Sequence, residues 1–190
     1  MNRVEIRIAG FGGQGVILAG MIIGRAAALY DGKDATLTQS FGPEARGGAC
    51  SAQLVISDTR NLYPCLVRPD ILVTMSQPAF DKFAGELKPE GLLLFESSLV
   101  KPTENIEVQR TYGIPASKIA EGMGRHMVLN IVMLGFFTAL SRVVGKEAME
   151  KAIADAVPPG TTRLNLDAFK RGFDYGLAVA EGRDPEVESD

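Results

Sequence analysis

A six-residue turn, Gly10-Phe11-Gly12-Gly13-Gln14-Gly15, joins an alternating segment to an apolar one, and that junction restricts the fold more than any other feature of the chain. Arg3–Ala9 interleaves charges with β-formers and reads as a strand, whereas Val16–Tyr30 is apolar and reads as a helix. Inside that helix Gly20 and Gly24 lie one turn apart, as do Ala19 and Ile23. Small residues at that spacing let a helix lie close against a sheet.

The remaining pattern continues the alternation of strand and helix. Ala35–Gln39 reads as the second strand, followed by a loop, Ser40–Gly48, and a third strand, Ala49–Ser57. In the latter, Cys50, Ala52, Leu54 and Ile56 share one face and Ser51 and Gln53 the other, which predicts an edge or antiparallel strand. After a turn at Asp58–Asn61 come a short strand, Ile71–Ser76, and a helix over Pro78–Leu87 with its proline near the first turn. Gly91–Phe95 and Ile106–Tyr112 read as strands, and Pro115–Glu121 as a short helix. Arg125–Val144 is a long helix apolar on nearly every face, predicted to lie between the sheet and another subunit. Lys146–Ala156 and Leu166–Ala180 complete the helices. Together they predict a single α/β, Rossmann-like domain over residues 1–180, a mostly parallel sheet with helices on both faces. The acidic, polar tail 181–190 is expected to be disordered or pinned by a partner.

Charge and cysteine usage exclude several functions. A net charge of -3, from 20 basic and 23 acidic residues, provides no field for nucleic acid. The charged N-terminal segment is no secretory signal. Val16–Leu29 and Met127–Leu140 fall short of the roughly 20 residues that cross a bilayer and are interrupted by Arg25 and Asn130, so no membrane span and a cytoplasmic location are expected. Cys50 and Cys65 are the only cysteines and His126 the only histidine, so this chain alone cannot assemble the usual ligand set of a zinc site or iron–sulfur cluster. No metal ligand is therefore assigned, and electrons would have to travel through another chain. No catalytic residue is assigned either, because Ser76, Ser97 and Ser98 have no histidine partner by sequence logic and His126 reads as a satisfied residue near a helix start.

The glycine turn carries the GxGxxG spacing in the strand-to-helix context of a dinucleotide site. That fingerprint is incomplete. The second strand ends in Thr38-Gln39-Ser40, with no acid for a ribose hydroxyl and no arginine for a 2′-phosphate, and Asp31 and Asp34 precede it. A plain tight turn, or an anion or partner segment held against the loop amides, stays open beside the dinucleotide reading.

The loop Ser40-Phe41-Gly42-Pro43-Glu44-Ala45-Arg46-Gly47-Gly48 is the other informative stretch. Arg46 offers a planar fork for phosphate or carboxylate, and Glu44 is placed to pair with it or to orient its neighbours. The two glycine segments in this order resemble the paired signature of the γ domain of 2-oxoacid:ferredoxin oxidoreductases, GxGGQG followed by a loop like SYGPEARGG. Asn130-Ile131-Val132-Met133-Leu134-Gly135, with Pro115-Ala116 ahead of it, is similar to that family's asparagine helix. The likeness runs from about Val4 to Leu177. Phe41 stands where tyrosine is common, which removes a hydroxyl and keeps the ring. The form GPEARGG resembles the 2-oxoglutarate branch.

The resemblance implies oxidative decarboxylation of a 2-oxoacid to acyl-coenzyme A, or the reverse carboxylation. Thiamine diphosphate, magnesium and 4Fe–4S clusters are implied on α- and β-type chains and on a ferredoxin-like δ subunit or external ferredoxin. Coenzyme A is the acyl acceptor, and no cofactor is expected on this chain alone. The expected contribution here is interface and coenzyme A contact. Gly12, Gly13, Gln14, Gly15, Ser40, Phe41, Gly42, Pro43, Glu44, Arg46, Gly47, Gly48 and Asn130 would form it, with Arg46 on a coenzyme A phosphate or a partner carboxylate. The rival readings are a stand-alone NAD(P) oxidoreductase and a purely structural assembly subunit.

Overall fold

The computed structural model describes residues 3–41, 49–60, 63, 65–103, 108, 110–124 and 126–185. Strand β1 (Val4–Phe11) runs into the glycine turn and helix α1 (Val16–Arg25). The helix widens into a π turn at Ala26–Tyr30, whose Tyr30 hydroxyl donates to Asp155, and Lys33 just beyond it donates to the Val143 carbonyl. Strands β2 (Asp34–Phe41) and β3 (Ala49–Ser57) follow, then β4 (Ile71–Thr74) and helix α2 (Gln77–Phe83). Ser76 caps α2 by accepting from the Ala79 amide at 3.4 Å, and Pro78 occupies the first turn, where a missing N–H costs nothing. Strands β5 (Leu92–Glu96) and β6 (Arg110–Ile114) precede the helices α3 (Ala116–Gly122), α4 (Leu129–Ser141), α5 (Lys146–Ala156) and α6 (Thr162–Ala180).

The six strands form one sheet in the order β2-β3-β1-β4-β5-β6. β1, β4, β5 and β6 run parallel to one another, while β3 is antiparallel to both β1 and β2. The clean alternation of Ala49–Ser57 is therefore that of an antiparallel strand, but one in the sheet's interior. β2 takes the edge, because α1 carries the chain two strand positions from β1 and β3 returns between the two.

The two sheet faces are covered unequally. Ile6, Ile8, Leu54, Val73 and Leu94 pack into the large core beneath α1 and α3 to α6. Ala9, Leu72 and Leu93 meet Phe80 and Phe83 of α2 in a smaller one. Every residue from Asn130 to Leu140 is buried within this chain. The side of α4 expected to face another subunit is covered by α6 instead, through the glycines Gly135, Gly172 and Gly176. An all-apolar helix needs two covering layers, and here one polypeptide supplies both. Among the described residues no helix is long and apolar enough to cross a membrane.

Candidate functional site

Neighbouring strands β1 and β4 send their connections in opposite directions, β1 through α1 towards β2 and β4 through α2 towards β5. The crevice at their carboxyl ends is thus a topological switch point, the position where open α/β sheets meet ligands. Gln14 spans it. Its Oε1 accepts from the Phe11 amide at 2.6 Å, and its Nε2 donates to the Met75 carbonyl at 2.7 Å. Gly10 makes room for this bridge, since a Cβ there would lie 2.5 Å from Gln14 Oε1. One loop amide that a dinucleotide phosphate would otherwise meet is thereby already taken.

Gly12 and Gly13 project beyond the bridge. No atom lies within 4 Å of where either Cβ would stand, and Gly13 has φ 97°, so this backbone is open to whatever approaches the edge. Gly15 turns the chain into α1 with φ 74°, a conformation that favours glycine. Asn130, 4% exposed in the first turn of α4, lies over it with Nδ2 3.5 Å from the Gly15 carbonyl. Gln14, Gly15 and Asn130 therefore form one internally bonded unit at the switch point.

β2 runs in the same direction as β1, so Ser40 and Phe41 end at the same edge as the glycine turn. In register, Phe41 and Gly10 both lie opposite Cys50, at the start of the strand between them. That separation is two strand spacings, about 10 Å. Gly42, Pro43, Glu44, Arg46, Gly47 and Gly48 lie outside the described residues, which stop at Phe41 and resume at Ala49, both at this edge. Cys50 itself is buried, and burial raises its thiol pKa, so it remains a neutral thiol and not a nucleophile. The side chain of His126 also lies outside the described residues.

One polar group at this edge escaped the sequence reading. Glu96 closes β5 with no exposure, its Oε1 accepting from the Ser117 amide at 3.1 Å, where the carboxylate meets the start of α3. Its Oε2 has no partner among the described residues. The signal was available as a single acid ending the apolar run Leu92-Leu93-Leu94-Phe95.

Known proteins share both the sequence and the shape. The family model for pyruvate ferredoxin/flavodoxin oxidoreductase matches residues 5–175. A 2-oxoglutarate synthase subunit, KorC, of Methanocaldococcus jannaschii is 53% identical over 174 residues, spanning 90% of this chain and 93% of that one. The γ subunit of a keto/oxoacid ferredoxin oxidoreductase from Geobacter sulfurreducens superposes with a TM-score of 0.82 at 44% identity, covering 92% of this chain and 99% of its own. The fold also recurs, at 22% identity and a TM-score of 0.81, within a longer 2-oxoglutarate:ferredoxin oxidoreductase chain from Magnetococcus marinus, of which the match covers 32%. With its glycine turn, its asparagine helix and this likeness over nearly its whole length, the chain belongs to the pyruvate ferredoxin/flavodoxin oxidoreductase family, as a γ-type domain.

Proposed function

We propose that this chain serves as the γ subunit of a 2-oxoglutarate:ferredoxin oxidoreductase, its carboxyl sheet edge facing coenzyme A and the catalytic α- and β-type chains. The observation that carries the proposal is that the open glycine turn lies at the switch point between β1 and β4, and that β2 ends in Ser40-Phe41 at the same sheet edge. Open backbone at Gly12 and Gly13 allows close approach by a ligand or partner, and Gln14 and Asn130 hold that backbone in place. Arg46, on the segment leaving β2, presents its fork to a coenzyme A phosphate or a partner carboxylate. The M. jannaschii relative, a 2-oxoglutarate synthase subunit, supports the choice of oxoacid.

Thiamine diphosphate, magnesium and 4Fe–4S clusters would supply decarboxylation and electron transfer from partner chains, with a ferredoxin-like δ subunit or external ferredoxin as acceptor. The thiols here do not fit a cluster. Cys50 is buried in β3 and Cys65 is exposed in a separate loop, and two such donors fall short of a four-ligand set. No step is routed through them.

The test begins with purification from the native source under mild conditions. Co-purifying thiamine and iron–sulfur subunits, with coenzyme A-dependent reduction of a viologen by 2-oxoglutarate, is the expected result. A clean monomer carrying nicotinamide or flavin would restore the dinucleotide reading. In the complex, Arg46→Ala should raise the KM for coenzyme A or weaken assembly. If it changes neither, the role given to Arg46 fails.

A further inference from the structure

The molecule carries a polar cavity remote from the glycine edge. It has a volume of about 260 Å³ and opens between β6 and the carboxyl ends of α4 and α6, lined by Arg110, Tyr112, Leu140, Ser141, Arg142 and Ala180. We infer that this groove is a binding site for a phosphate-class oxyanion held by Arg110 and Arg142.

Its position separates it from the edge already described. Arg110 is the first residue of β6, so it lies at the amino end of the parallel strands, opposite the turn that follows β1. Helix α4 begins beside Gly15, at Asn130, and ends in the groove. With 13 residues it is about 20 Å long, and this sets the separation of the two sites.

The charge balance favours an anion. Among the described residues neither arginine forms an ion pair with a carboxylate. Both stand near the carboxyl end of α4, whose carbonyls carry roughly half a negative charge. Capping that end uses little of them: the Arg142 backbone amide donates to Thr138 O at 3.3 Å, and one Arg110 Nη reaches Leu140 O at 3.5 Å. Two whole positive charges exceed the half charges of the α4 and α6 ends taken together. Most of their ten N–H donors, about five per guanidinium, remain for a ligand. Arg142 holds its place at φ 53°, the one positive-φ residue other than glycine among those described. Tyr112, packed against the core, lines the same wall and carries a hydroxyl able to donate.

Two forks and a phenol match a phosphate monoester, with its charge of about −1.5 to −2 and three acceptor oxygens, better than a single carboxylate. The cavity is smaller than the roughly 300–1,000 Å³ of drug-sized sites, so it suits a phosphate group with a short appendage and not a whole nucleotide.

The full-length chain should be titrated with inorganic phosphate, glycerol 3-phosphate and succinate, followed by calorimetry and by phosphorus line width. The two phosphates are expected to bind and to compete with each other, and succinate to bind more weakly. Arg110→Gln and Arg142→Gln should each weaken phosphate binding by about tenfold, the loss of one charge-assisted fork. Arg163→Gln, exposed at the start of α6 and so at the far end of that helix from the groove, should leave it unchanged. Arg110 is exposed at the start of an edge strand and gives the α4 end only a 3.5 Å contact at Leu140 O, so Arg110→Gln disturbs that helix end little. The inference is overturned by absence of phosphate binding, by undiminished binding in both groove variants, by preference for succinate, or by loss of binding in Arg163→Gln.

Discussion

Gly172 of α6 rests against the Val132 carbonyl of α4, so closely that a Cβ at position 172 would lie 1.9 Å from that oxygen. The contact is reciprocal, since a Cβ on Gly135 would lie 2.1 Å from the Phe169 carbonyl. Both obstacles are backbone atoms, which cannot swing aside as a side chain would. Gly172→Ala must therefore push the two helices apart and disturb the core that α4 shares with the sheet. A loss of about 1–3 kcal/mol is expected, at the upper end because the clash involves backbone. The measurement is the urea midpoint, with Gly85→Ala as control, because a Cβ there meets nothing within 4 Å. Equal midpoints for the two variants would show that α4 and α6 do not meet in this way.

Gly15 and Asn130 predict a coupled pair. A Cβ at position 15 would lie 2.4 Å from Asn130 Nδ2, and φ there is 74°. Gly15→Ala thus suffers a backbone penalty of about 1–2 kcal/mol and, separately, a clash. Asn130→Ala relieves only the clash. In a double-mutant cycle the pair should be less damaging than the sum of the single changes, by about 1 kcal/mol. Strict additivity would mean that Asn130 does not press on the turn.

What was legible from residues alone follows their physics. The strand Ala49–Ser57 and the helix Lys146–Ala156 have the predicted boundaries, because alternation and flanking turn residues mark each of them locally. The strand's place inside the sheet was not legible, since alternation reports antiparallel pairing and says nothing of how many neighbours a strand has. The apolar surface of α4 announced two covering layers, but the small residues of α6 that make one of them lie far along the chain. Family resemblance singled out Gln14. Its bridge from Phe11 to Met75 depends on β4 lying beside β1, which only the sheet order reveals.

That bridge gives the third prediction. Gln14→Ala removes both hydrogen bonds and leaves the Met75 carbonyl without this donor, at a cost of about 1–3 kcal/mol. Gln14→Glu keeps an acceptor for the Phe11 amide but sets a carboxylate against the Met75 carbonyl. Its protonated form can donate there, so the folded state should raise the pKa of this introduced carboxyl. Stability of the variant would then be greatest below the unfolded value of about 4.3 and fall as pH rises through the folded value. Thermal melts from acid to neutral pH check this. A pH profile parallel to that of the unmodified chain would show that position 14 does not meet the carbonyl.

The two cysteines should differ in reactivity. Cys65 is exposed, whereas Cys50 is buried and burial raises its thiol pKa. A thiol-specific reagent should modify one cysteine rapidly in the native chain and the second only on unfolding. The linkage has a definite sign. Above the unfolded pKa of about 8.5 the unfolded chain releases the Cys50 proton while the folded chain retains it, so stability is complete below that pH and declines as pH rises towards the folded value. Cys50→Ala should flatten that part of the alkaline profile. Fast native labelling at both positions would contradict the burial.

Arg142 sets stability against binding. Its φ of 53° closes α4 in the left-handed region, which costs an ordinary side chain about 1–2 kcal/mol. Glycine would adopt it without that penalty, though its freer unfolded chain returns about 0.5–1 kcal/mol. Arg142→Gly should therefore stabilise the chain by up to about 1 kcal/mol, since the capping bond to Thr138 comes from the backbone and survives the change. The same substitution removes one guanidinium from the cavity shared with Arg110, so phosphate affinity should fall as the melting temperature rises. Opposite movement of the two readouts separates a residue kept for its charge from one kept to end a helix. A variant that loses stability along with binding would mean that the Arg142 side chain is part of the cap.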